Sequence, residues 1–397
     1  MRDYHDLLNE AKKIEDWLIS IRRDFHRHPE LGMAEFRTRE KIIGYLEELG
    51  IRYQSHVAGT GVVGFIEGKQ EGRTIALRAD MDALPIEDRK EVPYGSTIPG
   101  KMHACGHDAH MTILLGAARL LKERADELKG QVKLFFQPAE ETVGGAKPMI
   151  EAGVMENPKV DCVIGLHVSS QIETGEIGIR YGQMNAASDT IKIVLHGKSS
   201  HGAYPQEGVD AILMAGQVLT ALQSIVSRNV SPIKSAVITI GVIHGGTQGN
   251  IIADRVELIG TVRTLEAETR VFVINKIEAI VKNIAAAMGG KAEFFREEGY
   301  TALINTDSIV DMVRFNGEKI LGYGKVHRIE HPSLGVEDFA YFAEKAPGAF
   351  YILGCRNEEK GIIHEAHYGL FDIDEECLSV GVAMQVGNVL TFLKEEN

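Results

Sequence analysis

The 397-residue chain is longer than one hydrophobic core usually supports, so two domains are expected. Its 44% hydrophobic and 25% charged residues are those of an ordinary globular protein. The net charge of −13 disfavours nucleic acid and anionic membrane, both polyanions, and leaves a small molecule or peptide as the expected partner.

The opening Met1-Arg2-Asp3-Tyr4-His5-Asp6-Leu7 has no apolar stretch of signal length, and no apolar run approaches the roughly 20 residues that span a bilayer. Cys105, Cys162, Cys355 and Cys377 lie far apart and form no disulfide framework, so the cytoplasm is the expected compartment.

Leu7, Ile14, Trp17, Leu18 and Ile21 recur at helical spacing and predict a helix over about residues 6–26, ended by Pro29. A second helix is predicted over Thr38–Leu49, closing at Gly50. Next come strand 61–66, strand 74–79, helix 110–123, strand 131–136, a helix near 146–151 and strand 161–166. Such alternation implies an α/β domain with a mainly parallel sheet.

From about Gly182 the pattern changes to strand 190–196, a stripe of Ile212, Leu219, Leu222 and Val226, and strands 236–243 and 254–263. A second stripe of Val273, Ile277, Ile280 and Ile284 and strand 291–295 complete it. This βαββαβ order is that of a ferredoxin-like α+β unit. Residues 182–292 are therefore expected to form an inserted domain, with 1–181 and 293–397 forming the catalytic one.

The chemistry-bearing residues follow the first set of strands. Asp80 and Asp82 follow one strand, Gln137 to Glu141 the next, and His167 a third, all at the edge where open α/β sheets bind ligands. In Cys105-Gly106-His107 the glycine allows thiol and imidazole to turn toward one point, and Asp108 suits a helix cap or a partner for a ligating histidine. Adjacent Glu140 and Glu141 can divide the work of metal ligand and proton acceptor, in an order the spacing leaves open. His110 begins an apolar helix face and is expected to pack. His364 and His367 share a C-terminal segment in which one ligand suffices. The set points to metal-assisted hydrolysis.

These stretches, with Arg23-Asp24-Phe25-His26-Arg27-His28-Pro29-Glu30-Leu31-Gly32, Arg78-Ala79-Asp80-Met81-Asp82-Ala83-Leu84-Pro85, Gly197 to Pro205 and Gly335-Val336-Glu337-Asp338-Phe339, closely resemble the M20 metallopeptidase family. The likeness is to its aminoacylase-like amidohydrolases, among them hippurate and auxin-conjugate hydrolases. It implies two divalent ions (Mn, Zn, Co or Ni), with Cys105 bridging, His107 and His167 completing one site, and Glu141 and His367 the other. It further implies Glu140 as general base, Asp82 as an orienting carboxylate, His201 as the oxyanion donor, commonly from a partner subunit, and Asn250 and Arg263 as substrate contacts. The inserted domain is then a lid and dimerisation surface, the assembly a homodimer or homotetramer, and the substrate an N-acyl amino acid. His367 keeps the family's spacing to an aromatic, Phe371, but Gly369 stands where proline is usual.

Competing expectations are an N-acetyldiaminopimelate deacetylase or dipeptidase of the same family and, from another class, a metal-free thiol amidase with Cys105 as nucleophile and His107 as base.

Overall fold

A computed structural model describes residues 4–394. In chain order the elements are α1 (Tyr4–Lys12), α2 (Glu15–Arg27), α3 (Phe36–Glu48), β1 (Arg52–Val57), β2 (Gly61–Glu67), β3 (Gln70–Asp80), α4 (His107–Lys122), β4 (Lys129–Gln137), α5 (Ala146–Glu151), β5 (Cys162–Glu173), β6 (Ile177–Ile179), β7 (Gly182–Asn185) and β8 (Ala187–His196). There follow α6 (Ala211–Ser224), β9 (Ala236–Gly245), β10 (Arg255–Thr264), α7 (Ala267–Ala287), β11 (Lys291–Glu298), β12 (Leu303–Asn305), α8 (Asp307–Ile320), β13 (Val326–Arg328), α9 (Ala340–Ala343), β14 (Gly348–Arg356) and α10 (Glu376–Lys394).

The chain divides into a large unit (Met1–Met184, Ile304–His331, Asp338–Asn397) and a small one (Asn185–Leu303, Pro332–Glu337). The boundary expected at 292 falls inside β11. That strand pairs along its length with β8, so it stays with the small unit.

The large unit is mixed α/β around an eight-stranded sheet of order β1-β2-β4-β3-β5-β14-β6-β13. Its middle, β4-β3-β5-β14, is parallel, whereas β1 and β2 at one side, and the β14–β6 junction at the other, pair antiparallel. Residues of the middle strands are buried almost without interruption, as parallel strands covered on both faces require. Arg78 of β3 pairs with Gly165 of β5, which sets Asp80 and His167 at one level of the sheet.

The single helix expected over 6–26 is two. The α1 helix ends at Lys12 and α2 begins at Glu15, although the apolar spacing runs on across the break. His167 lies within β5 rather than after it, because the strand continues to Glu173. Two helical runs, Ala211–Asn229 and Glu376–Lys394, are long and apolar enough to cross a membrane. The second, α10, is buried over most of its surface in the large unit, where it packs on α1, α4 and α8 as a core helix.

The small unit has a fully antiparallel sheet of order β11-β8-β10-β9. With α6 and α7 packed on it, this is the ferredoxin-like split arrangement. Ile191, Ile193, Leu195, Met214, Val218, Leu222, Val273, Ile277 and Val281 form its core. Strands β9 and β11 are the two edges of that sheet, and β9 is exposed over most of its length.

Candidate metal centre

The centre begins at the turn into α4. Gly106 holds φ +87°, a left-handed angle, and a Cβ added there would meet Val168 Cγ2 at 2.3 Å. Both facts require glycine. The turn leaves Cys105 and His107 buried on one side. Asp108 orients no candidate ligand, and at the start of α4 its Oδ1 accepts the Ala109 amide at 3.0 Å. Its buried carboxylate accepts Arg22 Nε at 2.9 Å and His26 Nδ1 at 2.7 Å, and Arg22 also reaches Asp372 at 2.7 Å. Arg22 thereby ties the Cys105–His107 turn to the segment that follows His367.

Asp82 is the organiser of the site. Its Oδ1 accepts His107 Nδ1–H at 3.2 Å and the Glu140 amide at 3.1 Å, and its Oδ2 accepts the Glu141 amide at 2.9 Å. With the ring proton fixed on Nδ1, His107 Nε2 carries a lone pair for a metal. Beneath the turn after β4, Arg78 binds Gln137 at 2.8 Å, Asp80 at 2.6 Å and Asp338 at 3.0 Å. Asp338 in turn accepts Gln137 Nε2 and the Ala146 amide.

His110 is a brace between strands. It donates through Nδ1 to Asp80 at 2.6 Å and accepts the Val168 amide at Nε2 at 2.9 Å, so neither nitrogen is left for an ion. Burial lowers its pKa to about 4 despite Asp80.

His167 donates through Nδ1 to the Val168 carbonyl at 2.7 Å, and its Nε2 stands 3.3 Å from Cys105 Sγ. His367, not His364, reaches the centre, with Nε2 3.1 Å from Glu141 Oε1. Its backbone takes the left-handed φ of +65°, and its amide donates to Ala104 O at 2.8 Å. His364 lies against the Tyr368 ring instead. Gly369 is required here, since a Cβ would meet Glu87 O at 2.6 Å.

Ligand atoms of Cys105, His107 and His167 lie within 4.8 Å of one another, as do those of Cys105, Glu141 and His367, and those of His107, Glu140 and Glu141. Cys105 is common to the first two groups, the arrangement that two neighbouring ions with a shared thiolate require.

The surroundings fit cations. His107 Nε2 is buried without a hydrogen-bond partner among the described residues, with Asp80 Oδ2 3.7 Å and Glu141 Oε1 3.9 Å away. Burial alone would depress the His107 pKa, but Asp80, Asp82 and Glu141 raise it to about 10. Burial, reinforced by Glu141 and Glu140, drives the Cys105 thiol well above its usual value. So negative a pocket holds a thiolate only with cations present.

His201, Asn250 and Arg263 belong to the small unit. His201 Nδ1 accepts the Ala203 amide at 3.0 Å, which puts the proton of the neutral ring on Nε2. Gly202 N–H donates to Asn250 O at 2.7 Å, so His201 and Asn250 share one pair of crossing segments. Arg263 sits on β10 and donates to Leu334 O at 3.2 Å.

A centre of buried thiol, imidazole and carboxylate at the edge of an α/β sheet defines the class of metal-dependent hydrolases. The chain belongs to Peptidase family M20/M25/M40, whose profile matches residues 76–389, and its place there is with the amidohydrolases. It is 43% identical over 379 residues to thermostable carboxypeptidase 2 of Saccharolobus solfataricus, covering 94% of this chain and 95% of that one. To the N-acetyl-L-cysteine deacetylase of Bacillus subtilis it is 44% identical over 366 residues, covering 92% and 85%. The crystal structure of Bacillus subtilis YXEP, described as a dinuclear metal binding peptidase from the M20 family, superposes with a TM-score of 0.85 at 36% identity, covering 96% and 99%. The protein is therefore a hydrolase acting on amide bonds.

Proposed function

We propose that the chain hydrolyses N-acyl-L-amino acids to a carboxylic acid and a free amino acid, using two divalent ions held by Cys105, His107 and His167 and by Cys105, Glu141 and His367. The observation that carries this reading is the membership of Cys105 in both ligand groups, with buried Glu140 in a third group beside them. Such ions supply Lewis-acid polarisation of the carbonyl and a lowered pKa for water. Mn, Zn, Co and Ni all suit the donors.

The residues divide the remaining work. Glu140 takes a proton from the attacking water and returns it to the leaving nitrogen, and Asp82 holds the backbone of Glu140 and Glu141 in place. His201 offers its Nε2–H to the developing oxyanion. Asn250 contacts the substrate carbonyl, and the Arg263 fork takes the substrate carboxylate. The relatives support the substrate class. A carboxypeptidase and an N-acetyl-cysteine deacetylase both cut the bond between an acyl carbonyl and the nitrogen of an amino acid with a free carboxylate.

A homodimer is proposed through β9, whose exposed and largely apolar edge is a template for pairing with a second copy. The small unit is proposed as lid as well as dimerisation surface. Light scattering is expected to give about twice the 43.6 kDa chain mass. A monomer at micromolar concentration would end the dimer proposal. Four buried cysteines, none of them joined in a disulfide among the described residues, suit a reducing compartment and support the cytoplasm as the place of action.

The decisive experiment is metal removal. Dialysis against a strong chelator is expected to abolish hydrolysis of N-acetyl and N-benzoyl amino acids, with recovery on adding Mn, Co or Zn. If turnover survives chelation while thiol alkylation stops it, the protein is a thiol amidase and this reading fails.

A further inference from the structure

The backbone that carries Glu140 is itself under constraint. Ala139, the preceding residue, holds φ +56°, in the left-handed region that non-glycine residues avoid. Such a conformation persists only where neighbours enforce it. Asp82 anchors the next two amides, those of Glu140 and Glu141. The Ala139 amide is anchored separately, by Glu35 Oε1 at 2.9 Å.

Glu35 is an unusual residue for that task. It occupies the N-cap of α3, where a side chain normally serves its own helix, yet it makes no cap bond. Glu30 caps the helix in its stead, accepting the Arg37 and Thr38 amides at 3.1 and 2.8 Å. Glu35 is thereby released to cross to the turn after β4. Its second oxygen, Oε2, accepts the Thr60 hydroxyl at 2.6 Å, and the residue is fully buried. Burying a carboxylate is costly, and an apolar side chain would satisfy packing alone.

The same segment also fits the turn from the other side. A Cβ at Gly32 would meet Thr142 Oγ1 at 2.4 Å and Ala139 Cα at 3.1 Å, and Glu30 O accepts the Ala83 amide at 2.8 Å beside Asp82.

We propose that Glu35 is a positioning residue for the reaction: by holding the Ala139 amide it keeps the turn in the left-handed conformation that aims Glu140. The proposal rests on Glu140 being the general base. It makes reach, rather than charge, the property that matters at position 35. Glutamine keeps the reach, since its oxygen can accept the Ala139 amide while its NH₂ donates to a rotated Thr60 hydroxyl. Aspartate keeps the charge but is one methylene too short.

The test compares Glu35→Asp and Glu35→Gln in the metal-loaded enzyme, both conservative enough to fold. Glu35→Asp is expected to lower kcat about 10-fold to 100-fold, with KM within about twofold and bound metal unchanged, because a small misplacement of a reacting group costs this much. Glu35→Gln is expected to stay within about threefold of the parent. In a Glu140→Gln background Glu35→Asp is expected to cost nothing more, the non-additivity of groups that act as a unit. An unchanged kcat in Glu35→Asp, an equal fall in Glu35→Gln, loss of metal in either, or a full further loss in the Glu140→Gln background would each overturn the proposal. Parent-like turnover by Glu140→Gln alone strikes the base assignment instead. An inert Glu140→Gln beside a fully active Glu35→Asp strikes Glu35 only.

Discussion

Glu140→Gln is expected to lower kcat by about 10²-fold to 10⁴-fold, the range that general acid–base catalysis contributes. The substitution is nearly isosteric and removes only the capacity to take and return a proton. It leaves the Glu140 amide on Asp82 Oδ1, so the turn and its neighbour Glu141 keep their places. Metal content and thermal stability should therefore match the parent, and KM should move little. Steady-state kinetics on an N-acyl amino acid, run beside metal analysis of the same preparation, checks this. Full turnover with both ions bound would mean that Glu140 is not the base.

The candidate site was legible wherever chemistry-bearing residues end an apolar strand. Asp80, Gln137 to Glu141 and His167 follow or interrupt runs whose burial on both faces marks the parallel centre of the sheet. The Cys105-Gly106-His107 turn could be read because glycine at its middle has a backbone meaning, which φ +87° bears out. Asp108 could not be placed in the same way. Its partners Arg22 and His26 lie 86 and 82 residues earlier, and no local rule relates them. Glu35 was hidden for a similar reason. In sequence it is an acidic residue at a helix start, and only the pairing with Ala139 across 104 residues gives it another role.

Among the elements, the break between α1 and α2 has no glycine or proline to announce it, so the helical period from Leu7 to Ile21 reads as continuous. The α10 helix is buried around most of its circumference, with Ser379, Gln385 and Asn388 inside as well as its apolar residues, so it lacks the solvent-facing polar stripe that identifies amphipathic helices. The small sheet was easier. Its strands alternate buried and exposed residues, and two helical stripes separate them at regular intervals.

Asp82→Ala is expected to weaken metal binding by about 10-fold to 100-fold, the usual cost of removing a carboxylate that orients a ligating histidine. The loss should reach beyond affinity, because one side chain fixes three groups at once. Without Oδ1, His107 loses the acceptor that puts its proton on Nδ1, and the Glu140 amide loses its anchor; without Oδ2 the Glu141 amide is also released. An opposing effect exists. Asp82 helps to raise the His107 pKa, so removing it eases the proton loss that metal binding demands. That gain concerns one proton, whereas the three lost hydrogen bonds involve the charge-assisted kind to a buried carboxylate, so net weakening is the expected sign. Asp82→Asn separates the contributions, since it keeps one oxygen but turns an NH₂ toward a donor. It should also weaken binding, despite its matching shape. Competitive titration with a metal indicator at two pH values, followed by kcat at saturating metal, reads both parts. Restored kcat at saturating metal would confine Asp82 to ion binding, and parent-like affinity in both variants would remove it from the centre altogether.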